Sequence, residues 1–115
     1  MSLAITPTSS TNKLLIQVVC NATESTDIGA STQVALFQDS TANALAAVSI
    51  NNPTQIFVSP VCFNHYMTAG TTSATTFRVR AGNNASGTTV FNGNSGARIL
   101  GGVIASSITI MEIKS

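Results

Sequence analysis

A chain of 115 residues is long enough to bury one hydrophobic core without disulfide or metal, and a single domain over residues 1–115 is the expected organisation. Only 8% of the residues are charged and the formal net charge is +1, so five scattered cations build no basic patch for nucleic acid or an anionic membrane. Thr, Ser, Asn, Ala and Gly dominate the remainder, which suits strands, turns and neutral polar surfaces better than a helical bundle. The same chain is 43% hydrophobic with a mean hydropathy of +0.32. So few charges keep a free monomer poorly soluble, and burial of further surface against other copies is expected.

Segments with strand character recur at short spacing between clusters of Gly, Asn, Ser and Pro. Leu3 to Thr6 is the first and stops at Pro7, and the polar turn Thr8 to Asn12 leads into Lys13 to Ala22. In this second segment Leu14, Ile16, Val18 and Cys20 share one face, while Leu15, Gln17, Val19 and Asn21 share the other. Both faces are partly apolar, the mark of a strand covered on two sides. Past the polar stretch Thr23 to Gly29, Ser31 to Gln38 is a strand with Val34 and Phe37 as core candidates. Ala44 to Ile50 reads as a strand, with a short helix competing on propensity.

Gln55 to Phe63 contains Pro60, which belongs on a sheet edge or at a bulge. The run Thr71 to Arg80 alternates, with Phe77 and Val79 inward and Thr76, Arg78 and Arg80 outward. Thr88 to Phe91 is a short strand between the loop Asn83 to Gly87 and the turn Asn92 to Gly96. After Gly101 and Gly102 comes the last strand, Ser106 to Ile113, apolar on both faces and expected to be central. About eight strands without an amphipathic helix point to an all-β, antiparallel β-sandwich, jelly-roll-like in type.

The chain offers little for catalysis: one histidine, His65, and four acids, Glu24, Asp27, Asp39 and Glu112. Hydrolysis needs a base beside a nucleophile or paired carboxylates, and no nucleophile elbow, phosphate loop, dinucleotide fingerprint or zinc-protease motif occurs. No enzyme, no metal and no cofactor is therefore expected. Glu24 and Asp27 offer calcium ligands only in a loop lacking the dense acids such sites favour, so a polar loop is the preferred reading. Asn21-Ala-Thr and Asn84-Ala-Ser match glycosylation sequons but read as turn chemistry. No run approaches the ~20 apolar residues of a membrane span, and the start of the chain lacks signal-peptide features, so synthesis in a cytoplasm is expected. In that setting Cys20 and Cys62, each within an apolar run, are expected to be reduced and buried, with a disulfide as the alternative. Glu112, alone on an apolar face, needs a hydrogen-bonding partner or one of the cations Lys13, Arg78, Arg80 and Arg98.

Three pieces, SLAITPTSSTNKLLI at the start, GTTSATTFRVRAG in the middle and SSITIMEI at the end, resemble the C-terminal domains of tailed-phage tail fibres and other virion surface proteins. The likeness covers nearly the whole chain in order, with less chain ahead of the ITP segment than the family commonly carries. It implies a compact β-sandwich that assembles as a homotrimer in the virion, touches other virion proteins and meets host surface glycan through exposed loops. The family brings no catalytic residues. Adhesion by a fibre or receptor-binding tip is the first expectation, and capsid decoration, in which the trimer clamps neighbouring subunits, is the alternative. A polysaccharide hydrolase is the third reading, against which the few acids argue. Neutral sugar is met by Asn, Ser, Thr and aromatic groups on loops. That places candidate contacts in Thr23 to Gly29, Asn64 to Thr72 and Asn83 to Gly96, with His65 and Tyr66 as a ligand-binding pair. The competing reading packs Tyr66 in the core or at a subunit contact.

Overall fold

The computed structural model describes residues 1–24, 30–51 and 57–115. The elements are β1 (Ser2–Ile5), β2 (Lys13–Glu24), β3 (Ser31–Gln38), β4 (Ala46–Asn51), β5 (Phe57–Thr68), β6 (Thr75–Asn83), β7 (Thr89–Phe91), β8 (Gly93–Asn94), β9 (Ala97–Arg98), a 3-10 turn at Leu100–Gly102, and β10 (Ser107–Ile113). Every pairing is antiparallel. One sheet runs β1-β6-β3-β4 and the other β10-β2-β5, with β7 pairing the far end of β2 and β8-β9 forming a small separate hairpin. The molecule is thus an all-β sandwich, and its order does not establish the jelly-roll connectivity expected above. Its extents of 46 × 30 × 19 Å are those of a long slab two sheets thick.

Alternation along each strand decides what lies between the sheets. From β2 come Leu14, Ile16, Val18, Cys20 and Ala22, all buried, and opposite them stand Val34 and Leu36 of β3 and Phe77 and Val79 of β6. Ile108 and Ile110 of β10, Phe63 and Met67 of β5, and Val48 and Ile50 of β4 close the flanks of this core. The period of two that the sequence shows at Phe77 and Val79 is the one the fold uses. The tight connection after β3 needs one residue in the left-handed region, and Asp39 takes it at φ 50°, a conformation its short polar side chain tolerates.

Several expectations are corrected. β10 is an edge strand, not a central one, because in the sheet β10-β2-β5 it is β2 that has partners along both sides. Its second apolar face is turned outward, as are Leu15 and Val19 of β2, so two-faced apolarity here marks an uncovered sheet surface within the chain. Phe37 is not in the core. Leu36 fills that place, since it shares a face with Val34, and Phe37 lies on the outer surface with the Arg80 guanidinium 5.0 Å from its ring centre. β5 begins at Phe57 and continues to Thr68, which converts the expected segment Asn64 to Thr72 largely into strand. Pro60 does lie on an edge strand, where a missing N–H is tolerated. Cys20 is buried but Cys62 is exposed. Val19 is the neighbour of Cys62 across the ladder, so the two thiols lie on opposite faces of one sheet and both are free.

Because Ile16 is fully enclosed at the centre of β2, Ile16→Ala is expected to lower the unfolding free energy by about 2–4 kcal/mol in a urea titration. Gln17→Ala, one residue on and facing outward, is expected to cost less than about 1 kcal/mol.

Candidate functional site

The outer surface of β10-β2-β5 follows from its register. Across the sheet, Met111, Leu15 and Tyr66 stand in one row, Thr109, Gln17 and Asn64 in the next, and Ser107, Val19 and Cys62 in a third. Ile113, Lys13 and Thr68 close one end, where the Lys13 ammonium donates to the Thr68 hydroxyl at 2.6 Å. Tyr66, Met111, Ile113 and Val19 are all exposed, and Lys13 is the one ionisable cation in these rows. The surface is flat and carries one charge, with the apolar row Met111, Leu15 and Tyr66 beside the polar row Thr109, Gln17 and Asn64.

His65 and Tyr66 are adjacent in β5, so they point to opposite faces. Tyr66 belongs to the outer surface, whereas His65 faces inward between Phe63 and Met67, across from Ile16. They do not form one contact pair, and neither is in a loop. The loop Thr23 to Gly29, with Asp27 and its calcium reading, lies largely outside the described residues. In the stretch Asn83 to Gly96 the asparagines are occupied within the fold. Asn84 Oδ1 accepts the Ser31 N–H at 2.7 Å, Asn83 Oδ1 accepts the Thr32 hydroxyl at 3.0 Å, and Asn92 Oδ1 accepts the Ser106 hydroxyl at 2.7 Å.

Two acids serve as hydrogen-bond hubs. Glu112 Oε1 accepts from the Asn12 amide at 2.7 Å, the Thr8 N–H at 2.7 Å and the Thr8 hydroxyl at 2.9 Å, which ties the β1–β2 connection to β10. The partner that Glu112 needs is therefore this polar turn and none of the four cations. The Asn12 amide, followed by the Thr8 groups, holds the Glu112 carboxyl below its ordinary pKa of 4.5. Asp39 accepts the Thr76 N–H at 2.8 Å and the Thr75 hydroxyl at 2.9 Å, and these bonds, with Arg78 nearby, lower its pKa as well. The two carboxylates belong to different sheets. Among the described residues no group of three or more His, Cys, Asp or Glu side chains gathers where a metal ion could be held.

At one end of the slab a cleft of about 260 Å³ opens between the sheets, lined by Met1, Cys20, Val79, Ala81, Phe91 and Ser106, with Arg80 and Asn92 completing its wall. Burial pushes the Cys20 thiol up from its ordinary pKa, and a hydrogen bond with Ser106 offsets this in part. The walls are predominantly apolar. The place has no local sign in the sequence, because its lining comes from five separated segments, none with a motif.

Since the Glu112 pKa is depressed by folding, its stabilising contribution is present above its unfolded value and fades as pH falls through the folded one. The thermal midpoint of Glu112→Gln is therefore expected to lie below the parent's at neutral pH, and the gap to narrow as pH falls below the ordinary carboxyl value of 4.5. A gap that stays constant with pH would remove this role. Thiol titration of the native protein is expected to give one fast reaction, at Cys62, with Cys20 reacting only on unfolding. Compared with protein-family models and with curated proteins, the sequence matches neither.

Proposed function

We propose that the chain is a self-assembling structural module of a tailed-phage virion, a trimeric fibre or receptor-binding tip that adheres to the host cell surface. The observation that carries this reading is the outer surface of β10-β2-β5, where Val19, Tyr66, Met111 and Ile113 are exposed and Leu15 stands half-buried among them. A copy approaching it meets apolar side chains and almost no like charge, so self-association carries little electrostatic cost. The three segments that resemble phage fibre domains supply the virion setting. A non-catalytic role is supported by the placement of Asp39 and Glu112, each spent on a turn of a different sheet.

Capsid decoration is the second reading. What favours it is the internal engagement of Asn83, Asn84 and Asn92, which leaves the loop best supplied with amides committed to the fold rather than to sugar.

Light scattering is expected to return three chain masses at micromolar concentration, and Leu15→Lys/Met111→Lys is expected to lower that mass while keeping the β circular dichroism. A monomeric parent would overturn the assembly. Parent protein that binds host cells supports the adhesion reading, and parent that binds only capsids supports decoration.

A further inference from the structure

The most exposed large apolar side chains are not on the sheet surface but at the tip of a loop. Leu100 is 71% exposed and Val103 78%. They sit in the connection from β9 to β10, which is held in an unusual shape. Leu100 has φ 51°, a left-handed conformation that bulky L-residues avoid, and Gly101 and Gly102 follow at 65° and 80°. Arg98 fixes the turn from below, its guanidinium donating to the Gly102 carbonyl at 2.6 Å and the Ile104 carbonyl at 2.9 Å. At the base of the adjoining hairpin only glycine fits position 93, because a Cβ there would lie 1.9 Å from the Ala97 oxygen. A backbone held against its preference, displaying two aliphatic groups to water, is the arrangement of a part built to be covered.

The same end of the molecule carries a matching recess, the cleft whose rim exposes Phe91 and Met1 and whose wall includes Val79. Its volume of about 260 Å³ lies just below the range of drug-sized ligand sites, from about 300 Å³ upward. Removing one leucine side chain from a packed core leaves a void on the order of 150 Å³, so the cleft has room for one or two aliphatic side chains. Neither knob nor recess carries an acid; of the two cations in the wall, Arg80 is set over Phe37 and the Met1 ammonium donates to the Val79 carbonyl at 3.4 Å. Area points the same way. The twelve-residue strands β2 and β5 with the seven-residue β10, about 4.8 Å apart, present roughly 500 Å² of flat surface, short of the about 800 Å² per partner of a stable interface. Assembly through the sheet surface needs a second contact.

We propose that the loop carrying Leu100 and Val103 inserts into the cleft between the sheets of a neighbouring copy, against its Val79 and Phe91. The contact is heterologous, knob of one copy in recess of the next, and in the trimer proposed above it would close a ring of three. It rests on the self-assembling reading above and adds to it a specific pair of surfaces.

Cross-linking tests it in a Cys20→Ala/Cys62→Ser background, which removes the native thiol of the cleft wall, with a tagged chain carrying Leu100→Cys co-expressed with an untagged chain carrying Ala81→Cys on that wall. Mild oxidation is expected to give tagged-to-untagged disulfide pairs, identified by peptide mass, at least tenfold above a control with Ser73→Cys in place of Ala81→Cys. No excess over the control overturns the proposal. So does a disulfide confined within one chain when both cysteines are on the same copy, because the occupant would then be the chain's own loop. Leu100→Asp/Val103→Asp, which alters only exposed side chains, is expected to weaken association at least tenfold with the thermal midpoint of the dissociated chain unchanged. Unchanged association overturns the contact. The two interfaces fail separately: Leu15→Lys/Met111→Lys with unaltered mass and intact cross-links removes the sheet surface and sustains the loop contact. Cross-linked pairs in an assembly of two chains sustain the contact and remove the trimer.

Discussion

Everything in this sandwich is organised by the 12 residues of β2. Its ladder to β5 runs its full length, and its other side is shared by β10 at one end and β7 at the other, so one strand holds three in register. Its inward residues, Leu14 to Ala22 at every second position, are also the middle of the core. Because the side-chain period of a strand is two, a slip of one residue would exchange Leu14, Ile16 and Val18 for Leu15, Gln17 and Val19. Burying Gln17 and Asn21 in place of Ile16 and Cys20 supplies the penalty that fixes the register. The outward set is less polar than such a device requires, and that excess apolarity is what remains for a neighbour to cover.

A chain with 8% charge organises its turns with amides and hydroxyls. Glu112 gathers Thr8 and Asn12, Asn12 in turn accepts the Ser115 N–H at 3.3 Å, and the Ala69 N–H reaches the Asn12 carbonyl at 2.8 Å. The β1–β2 turn, the end of β5 and the end of β10 thus meet at one polar knot. At the other end of the slab, Asn84 and Ser31 exchange two hydrogen bonds, and Asn51 Oδ1 accepts the Ser31 hydroxyl. Among the described residues no buried side-chain polar atom lacks a partner. The donors are neutral amides and hydroxyls, and the one charge in the first knot, the Glu112 carboxylate, is met by three of them.

The sandwich was legible because strand period and turn chemistry agree over Lys13 to Ala22, Ser31 to Gln38 and Thr71 to Arg80. Edge and centre were not. Ser106 to Ile113 has apolar residues at Ile108 and Ile110 and again at Met111 and Ile113, and the pattern is the same whether a second sheet or a second molecule covers the outer set. Size favours Phe37 for the core, but the phase of the alternation pairs Val34 with Leu36. Adjacency links His65 and Tyr66 in the sequence, whereas within a strand it separates side chains. The cleft had no local sign, since Cys20, Val79, Phe91 and Ser106 are brought together only by the packing of two sheets. The loop tip did have one: Ile99, Leu100, Val103 and Ile104 flank two glycines outside any strand period, an apolar run where a turn is otherwise polar.

That run bears on why the protein tolerates its composition. A monomer burying only its sandwich core leaves Tyr66, Met111 and Ile113 on one broad face and Leu100, Val103 and Phe91 at one end, two apolar regions set apart on the slab. A flat neutral face alone pairs weakly and in many orientations, since apolar contact is non-directional. A rigid knob entering a recess has one orientation, because shape rather than charge selects it. In the proposed assembly, where few charges are available to specify which way copies meet, shape at the loop and cleft would turn a sticky sheet into a defined contact. The strain at Leu100 would then be a local cost of holding that shape before a partner arrives, sparing the complex the entropy of ordering the loop on contact.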